Sequence, residues 1–145
     1  MAEMNKYISE GIDVSSLNVL IVDDVPLNVL LIKKMLTQYS FQIRTASNGQ
    51  LAVDAVMQQK PDLILLDLLM PVMDGFGVIE TLRGNESYKD IPIIVLSALN
   101  SAEDVSRAFK LGANDFINKP VIMEKLISSV TQQINLRHAM QQMNG

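Results

Sequence analysis

The segment Asp62-Leu-Ile-Leu-Leu-Asp67 decides the fold, because it has the character of a strand buried on both faces. A short apolar run between polar residues is typical of a central strand in a parallel sheet. Residues 18–22, 91–96 and 114–118 form similar runs, and residues 41–45 alternate apolar and polar side chains as an edge strand does. Helical periodicity separates the runs. We therefore predict an α/β protein with a doubly wound, five-stranded parallel sheet flanked by five helices.

Polar side chains follow four of the five predicted strands. Asp23 and Asp24 follow the first strand, Asp67 the third, Ser97 the fourth and Lys119 the fifth. Each has an ordinary explanation alone, such as a turn residue, a strand-end hydroxyl or a surface lysine. The carboxyl ends of parallel strands, however, share one edge of the sheet, and ligands bind there. Three carboxylates, a hydroxyl and an amine at one edge suit a divalent metal ion and a phosphoryl group.

Composition limits the classes of protein that remain. A chain of 145 residues, 48% of them apolar, is long enough for one domain with a substantial core. It has no apolar stretch long enough to span a membrane and no secretory signal pattern. The absence of cysteine excludes disulfides and thiolate sites, which fits a cytoplasmic protein. A net charge of −4 without a Lys/Arg cluster argues against direct nucleic-acid binding.

Over roughly residues 18–135 the sequence resembles the receiver domain of two-component response regulators. The motifs that carry the resemblance are the paired acids after the first strand, Asp67-Leu-Leu-Met-Pro71 with Met73-Asp-Gly75, Ser97-Ala98 and Lys119-Pro120. The resemblance implies a flavodoxin-like sheet with strand order 2-1-3-4-5. We divide the chain into a flexible N-terminal arm (1–16), a receiver domain (17–135) and an extension of the last helix (136–145).

The resemblance also implies a phosphoacceptor switch. Asp67 would accept a phosphoryl group from a histidine kinase or a histidine phosphotransfer protein in a phosphorelay, assisted by Lys119 and Ser97. Mg²⁺ would be the cofactor, with Asp24, Asp67 and the Leu69 backbone carbonyl as direct ligands. Asp23 would act mostly through water. The residues support this assignment, because a cation relieves the repulsion among clustered carboxylates.

By the same resemblance, Ser97 and Phe116 form the conformational switch, and the Lys119–Pro120 peptide bond is cis. Two features depart from common usage in the family. The switch aromatic is Phe116 where tyrosine is frequent, and leucines occupy the positions two beyond Asp67 and Ser97. These leucines, Leu69 and Leu99, would flank the phosphoryl group, where they could exclude water or contact a partner.

Alternatives stay open at this point. A protein-binding pseudo-receiver without phosphorylation is the main rival, although all five key side chains are present. A haloacid-dehalogenase-type phosphatase would need an acid where Leu69 stands. We expect no enzyme activity beyond the chain's own phosphorylation and autodephosphorylation. The output partner or output domain is unknown. An apolar stripe on the last helix, formed by Leu136, Met140 and Met143, leaves a phosphorylation-dependent homodimer open.

Overall fold

A computed structural model describes residues 7–144, and its centre is a parallel sheet of five strands. The strands are β1 (Asn18–Val22), β2 (Gln42–Ala46), β3 (Leu63–Leu66), β4 (Ile93–Ser97) and β5 (Asp115–Asn118). Their order across the sheet is β2-β1-β3-β4-β5, with β2 and β5 at the edges. The predicted strand order and the flavodoxin-like fold class are confirmed.

Five α-helices in the described residues connect and follow the strands. They are α1 (Pro26–Met35), α2 (Gly49–Gln58), α3 (Gly75–Arg83), α4 (Ala102–Leu111) and α5 (Met123–Asn144). Local sequence explains where several begin. Pro26 occupies the first turn of α1, and the side chains of Asn48, Asp74 and Ser101 accept backbone hydrogen bonds at the starts of α2, α3 and α4. Within residues 7–144, none of the helices combines the length and apolar character that crossing a membrane requires.

Two apolar clusters cover the two faces of the sheet. One joins alternate strand residues such as Leu20 and Ile64 to α2, α3 and α4. The other joins the intervening residues, such as Ile21 and Leu65, to α1 and α5. All residues of β1, β3 and β4 are buried, which explains the unbroken apolar runs in the sequence.

Strand boundaries differ from the sequence prediction by one or two residues. The strand predicted at 91–96 begins at Ile93 and ends at Ser97. Proline lacks a backbone N–H, so Pro92 cannot donate to the ladder, although its carbonyl accepts from the Ile64 N–H at 2.9 Å. At its other end, β4 extends one residue further than predicted, to Ser97, which pairs with Asn118 in the last position of the β4–β5 ladder.

Residues 7–16, which we call the N-terminal strap, contact the body of the domain. Ile8 is buried, and Val14–Ser16 form a short 3₁₀ helix. The rest of the predicted flexible arm, residues 1–6, lies outside the described residues. At the other end, α5 continues to Asn144, and the predicted stripe of Leu136, Met140 and Met143 is exposed on it. The division at 16/17 and 135/136 stays a prediction.

Candidate functional site

The sheet register brings the predicted site residues to one edge. Val22 of β1 pairs with Leu66 of β3, so the next residues, Asp23 and Asp67, leave the sheet side by side. The Asp67 N–H extends the ladder by donating to the Val22 carbonyl at 2.9 Å. Residues from separate parts of the chain are thus held by backbone hydrogen bonds at the carboxyl edge.

The β4–β5 pair brings two more site residues, Ser97 and Lys119, to the same edge. Ser97 is the last residue of β4 and pairs with Asn118 of β5. The Lys119 N–H donates to the Ser97 carbonyl at 2.9 Å, which continues the ladder one residue past β5. Lys119 therefore begins at a fixed position from which its side chain reaches back toward β1 and β3.

Asp23, Asp24 and Asp67 form a cluster of carboxylates. Each offers one oxygen, and these three oxygens lie within 4.8 Å of one another. Asp23 and Asp67 are buried, whereas Asp24 is exposed. Carboxylate oxygens are the ligands that hard divalent cations prefer. The cluster can therefore hold a metal ion, with an open side at Asp24.

The Lys119 ammonium group lies between the two buried carboxylates. Its Nζ is 2.7 Å from Asp23 Oδ2 and 3.3 Å from Asp67 Oδ2. Asp23 Oδ1 also accepts from the Val25 N–H at 2.9 Å, so protein donors contact both oxygens of this residue. Asp67 is held less tightly, because its Oδ1 accepts only a long hydrogen bond, at 3.3 Å, from the Leu69 N–H.

Burial raises the pKa of the Asp67 carboxyl above its ordinary value. The Lys119 ammonium and the Leu69 N–H act in the opposite direction, since they stabilise the charged form, while the Asp23 carboxylate adds to the increase. The raised pKa means that Asp67 is held in a position where its negative charge is poorly solvated. An added positive charge nearby would relieve this cost.

The predicted switch residues, Ser97 and Phe116, lie on the neighbouring strands β4 and β5. Ser97 is fully buried, and its Oγ accepts from the Leu99 N–H at 3.1 Å. Phe116 is partly buried and packs against the apolar cluster beneath α2, α3 and α4. The Lys119–Pro120 peptide bond is cis. Leu69 is 52% exposed at the mouth of the site, which leaves its side chain accessible to solvent or a partner.

The loop between Asp67 and α3 contains a feature that sequence reasoning missed. The Met73 N–H donates to the Pro71 carbonyl at 2.8 Å, and Val72 between them has a φ of 70°. This is a three-residue turn of a strained kind. Positive φ is unfavourable for a β-branched side chain, and glycine or asparagine would have signalled it in the sequence. A valine gives no such signal.

Gly75 was also missed as a residue that positions the site. Its N–H donates to the Leu68 carbonyl at 3.0 Å. A methyl group on Gly75 would lie 2.4 Å from the Asp67 carbonyl oxygen and 2.7 Å from the Leu68 Cα, closer than atoms pack. The start of α3 therefore rests directly on the backbone that carries Asp67, and this contact requires glycine.

Comparison with known proteins identifies the class to which this site belongs. The family model described as "Response regulator receiver domain" matches residues 19–131. The chain therefore belongs to the response regulator receiver domain family. Members of this family act in two-component systems, in which receiver domains interact with histidine kinases and output domains. The strand order and the edge that carries the carboxylates agree with this assignment.

Individual relatives give the extent of the similarity. A probable cyclic di-GMP phosphodiesterase of Vibrio cholerae is 39% identical over 118 residues, which cover 81% of this chain and 26% of that protein. The chain thus spans about a quarter of this relative. A receiver domain of a histidine kinase from Syntrophus aciditrophicus is 36% identical, with a TM-score of 0.76, covering 82% of this chain and 90% of that one. The Mn²⁺-bound form of response regulator Rcp1 is 27% identical, with a TM-score of 0.69, covering 79% and 89%.

Replacing Asp67 by asparagine should stabilise the domain at neutral pH in the presence of EDTA. A carboxyl group whose pKa is raised by folding loses stability as the pH rises through that pKa, and Asp67→Asn removes the charge. We expect a higher Tm than wild type at pH 7 and a smaller difference below about pH 3.9, where aspartate is protonated in both states. Thermal unfolding across this pH range measures the effect.

The matched control is Asp54→Asn, which changes an exposed carboxylate on α2. Its Tm should follow wild type across the same pH range. A lower Tm for Asp67→Asn than for wild type at pH 7 would mean that the Lys119 ion pair outweighs the cost of burial.

Gly75→Ala should destabilise the domain by about 1–3 kcal/mol, the usual cost of overpacking a filled site. Gly84→Ala is the control, because a methyl group there would come no closer than 3.3 Å to another atom, the Glu80 carbonyl oxygen, and its φ is an ordinary −78°. Denaturant unfolding of both variants gives the free energies. Equal losses would show that the contact with the Asp67 backbone carries no special constraint.

Proposed function

We propose that this chain is a phosphoacceptor signalling switch in which Asp67 takes a phosphoryl group from a histidine kinase or a histidine phosphotransfer protein. One observation carries the proposal. The buried Asp67 carboxylate lies beside the Lys119 ammonium at 3.3 Å and within 4.8 Å of the Asp23 and Asp24 carboxylates. A nucleophile, a fixed cation and a cation-binding cluster are the parts that phosphoryl transfer needs.

The transfer itself exchanges one bond for another. An Asp67 carboxylate oxygen forms a bond to phosphorus while the bond from phosphorus to the donor's imidazole nitrogen breaks, and the imidazole leaves with that electron pair. Negative charge spreads over the equatorial oxygens during this step. Lys119 would offset that charge, because its compact ammonium group lies 3.3 Å from Asp67 Oδ2.

Mg²⁺ is the cofactor we assign to the carboxylate cluster. The three oxygen ligands fit a hard cation, and the raised pKa of Asp67 marks the need for positive charge. When bound, Mg²⁺ would supply charge to the phosphoryl oxygens. Asp24 and Asp67 with the Leu69 carbonyl would be its protein ligands. Protein donors contact both oxygens of Asp23, which supports a role through water. The similar protein Rcp1 has a Mn²⁺-bound form, so a divalent cation binds to one relative of this chain.

Phosphorylation would act on the output face through Ser97. Its Oγ now accepts from the Leu99 N–H, so a phosphoryl oxygen that binds the hydroxyl would draw the segment after β4 toward Asp67. Phe116 lies on the neighbouring strand and is only partly buried, so it would become more buried if the movement of Ser97 freed space beside it. The face formed by α4, β5 and α5 would then shift between two packings.

A pseudo-receiver that only binds proteins is the alternative function. It requires none of the key side chains to be competent, whereas Asp67, Lys119 and Ser97 lie together at one edge with a carboxylate cluster. We therefore favour the phosphorylated switch, acting in the cytoplasm without a metabolic substrate. Its output is an unknown partner or domain, and a phosphorylation-dependent homodimer remains an alternative output.

The acceptor assignment predicts one added phosphoryl group on Asp67. Incubation with a small phosphodonor such as acetyl phosphate should add it in the presence of Mg²⁺ and not in EDTA, as read from the intact mass. Asp67→Asn should abolish the addition, because the nucleophilic carboxylate is gone. Asp74→Asn, which keeps a helix-capping side chain at α3, should be labelled like wild type. Full labelling of Asp67→Asn on another residue would remove the assignment and favour the pseudo-receiver.

The ligand assignment predicts that Asp24→Asn weakens Mg²⁺ binding more than Asp23→Asn does. Asp24 is exposed and available, whereas both Asp23 oxygens are contacted by Val25 N–H and Lys119. A Mg²⁺ titration that is monitored by a tertiary-structure signal gives the affinities. Asp54→Asn is the charge-matched control. An unchanged affinity in Asp24→Asn would refute its role as a direct ligand.

A further inference from the structure

The Asn135 side chain of the last helix makes two hydrogen bonds to the N-terminal strap. The Asn135 Oδ1 accepts from the Ser9 N–H at 2.9 Å, and its Nδ2 donates to the Tyr7 carbonyl at 2.8 Å. The amide oxygen and the amide nitrogen of Asn135 therefore both bond to the strap backbone, on either side of Ile8. Two hydrogen bonds between parts of the chain separated by more than 120 residues define the position of the strap on α5.

Ile8 lies between these two hydrogen bonds and anchors the strap to the core. Its side chain is 8% exposed and belongs to the apolar cluster that includes Tyr39, in the segment after α1, and Ile134 of α5. Gly11 lies beside the same helix, since a methyl group added to it would be 4.0 Å from His138 Nε2. The strap thus combines an apolar anchor with hydrogen bonds to its backbone, and it packs in the same cluster as the segment after α1 and helix α5.

The strap contacts α5 near the point where the helix stops packing on the core. Ile134 is the last buried residue of this helix in the described chain, and Leu136, Met140 and Met143 are exposed after it. Arg137 adds one more link at the same turn, since its Nη1 donates to the Asp62 carbonyl at 2.7 Å. The strap therefore holds α5 at the turn where the helix leaves the body of the domain.

We propose that the N-terminal strap is an intramolecular docking segment that fixes the end of α5, and thereby the position of the exposed stripe of Leu136, Met140 and Met143. The docking surface consists of Asn135, Ile134 and Tyr39. It lies at the amino edge of the sheet, beside the Arg137–Asp62 contact, whereas the carboxylate cluster lies at the carboxyl edge. Loosening the strap should change α5 without changing chemistry at Asp67, so this proposal does not rest on the proposed function.

Hydrogen–deuterium exchange in Asn135→Ala tests the docking. Alanine is the better helix former, so intrinsic propensity alone would slow amide exchange in α5. Loss of the two strap hydrogen bonds should instead speed exchange of residues 136–143 by about tenfold. Ile8→Ala should produce the same change in α5, although it lies at the other end of the sequence. Gln132→Ala, at an exposed position of the same helix, is the control and should not speed exchange.

Unchanged or slower exchange of residues 136–143 in both Asn135→Ala and Ile8→Ala would overturn the proposal. Faster exchange throughout the sheet would also overturn it, because it would report global destabilisation instead of release of α5. Labelling by a small phosphodonor provides an independent measurement, and we expect both variants to match wild type. Failure of wild type to be labelled would contradict the proposed function alone and leave the exchange result valid.

Discussion

Three carboxylates held within 4.8 Å of one another are the constraint on which this structure depends. Like charges at this distance repel, and burial of two of them adds a desolvation cost that appears as the raised pKa of Asp67. Lys119 offsets only part of this cost, because one ammonium group is shared by Asp23 and Asp67. The rest of this free-energy cost must be offset by apolar burial in the sheet, whose three central strands are buried along their whole length.

Burial of the three central strands explains why the fold could be predicted from the sequence. Strands that are buried on both faces must be apolar throughout, so β1, β3 and β4 stood out as runs. The polar residues at the ends of these runs indicated where the strands leave the core, at the carboxyl edge of the sheet. The strand order came from the resemblance to receiver domains, and the structure confirms it. Boundaries were less accurate, since they depend on which backbone groups can pair, as Pro92 shows at the start of β4.

The detailed contacts of the site could not be derived from the sequence. Motif spacing selects Asp23, Asp67 and Lys119 but does not reveal that Lys119 approaches Asp23 more closely than Asp67. Val72 carries no sign of its positive φ, and Gly75 looks like an ordinary helix-start glycine until its contact with the Asp67 backbone is seen. These features arise from packing between segments distant in sequence. Asn135 is a further example, since nothing in a polar helix residue indicates that it binds the strap.

Helix α5 runs from the carboxyl edge of the sheet toward its amino edge. It begins three residues after the Lys119–Pro120 turn and is held by the strap at Asn135. At 1.5 Å per residue, Asn135 lies roughly 18 Å from the start of the helix, and Met143 lies roughly 12 Å beyond it. A helix held at Asn135 that tilts at its start must move its far end in the opposite direction, by about two thirds as much. Strap docking would thus convert a displacement near the carboxylate cluster into a movement of the exposed stripe, whereas a freely fraying end would not transmit it.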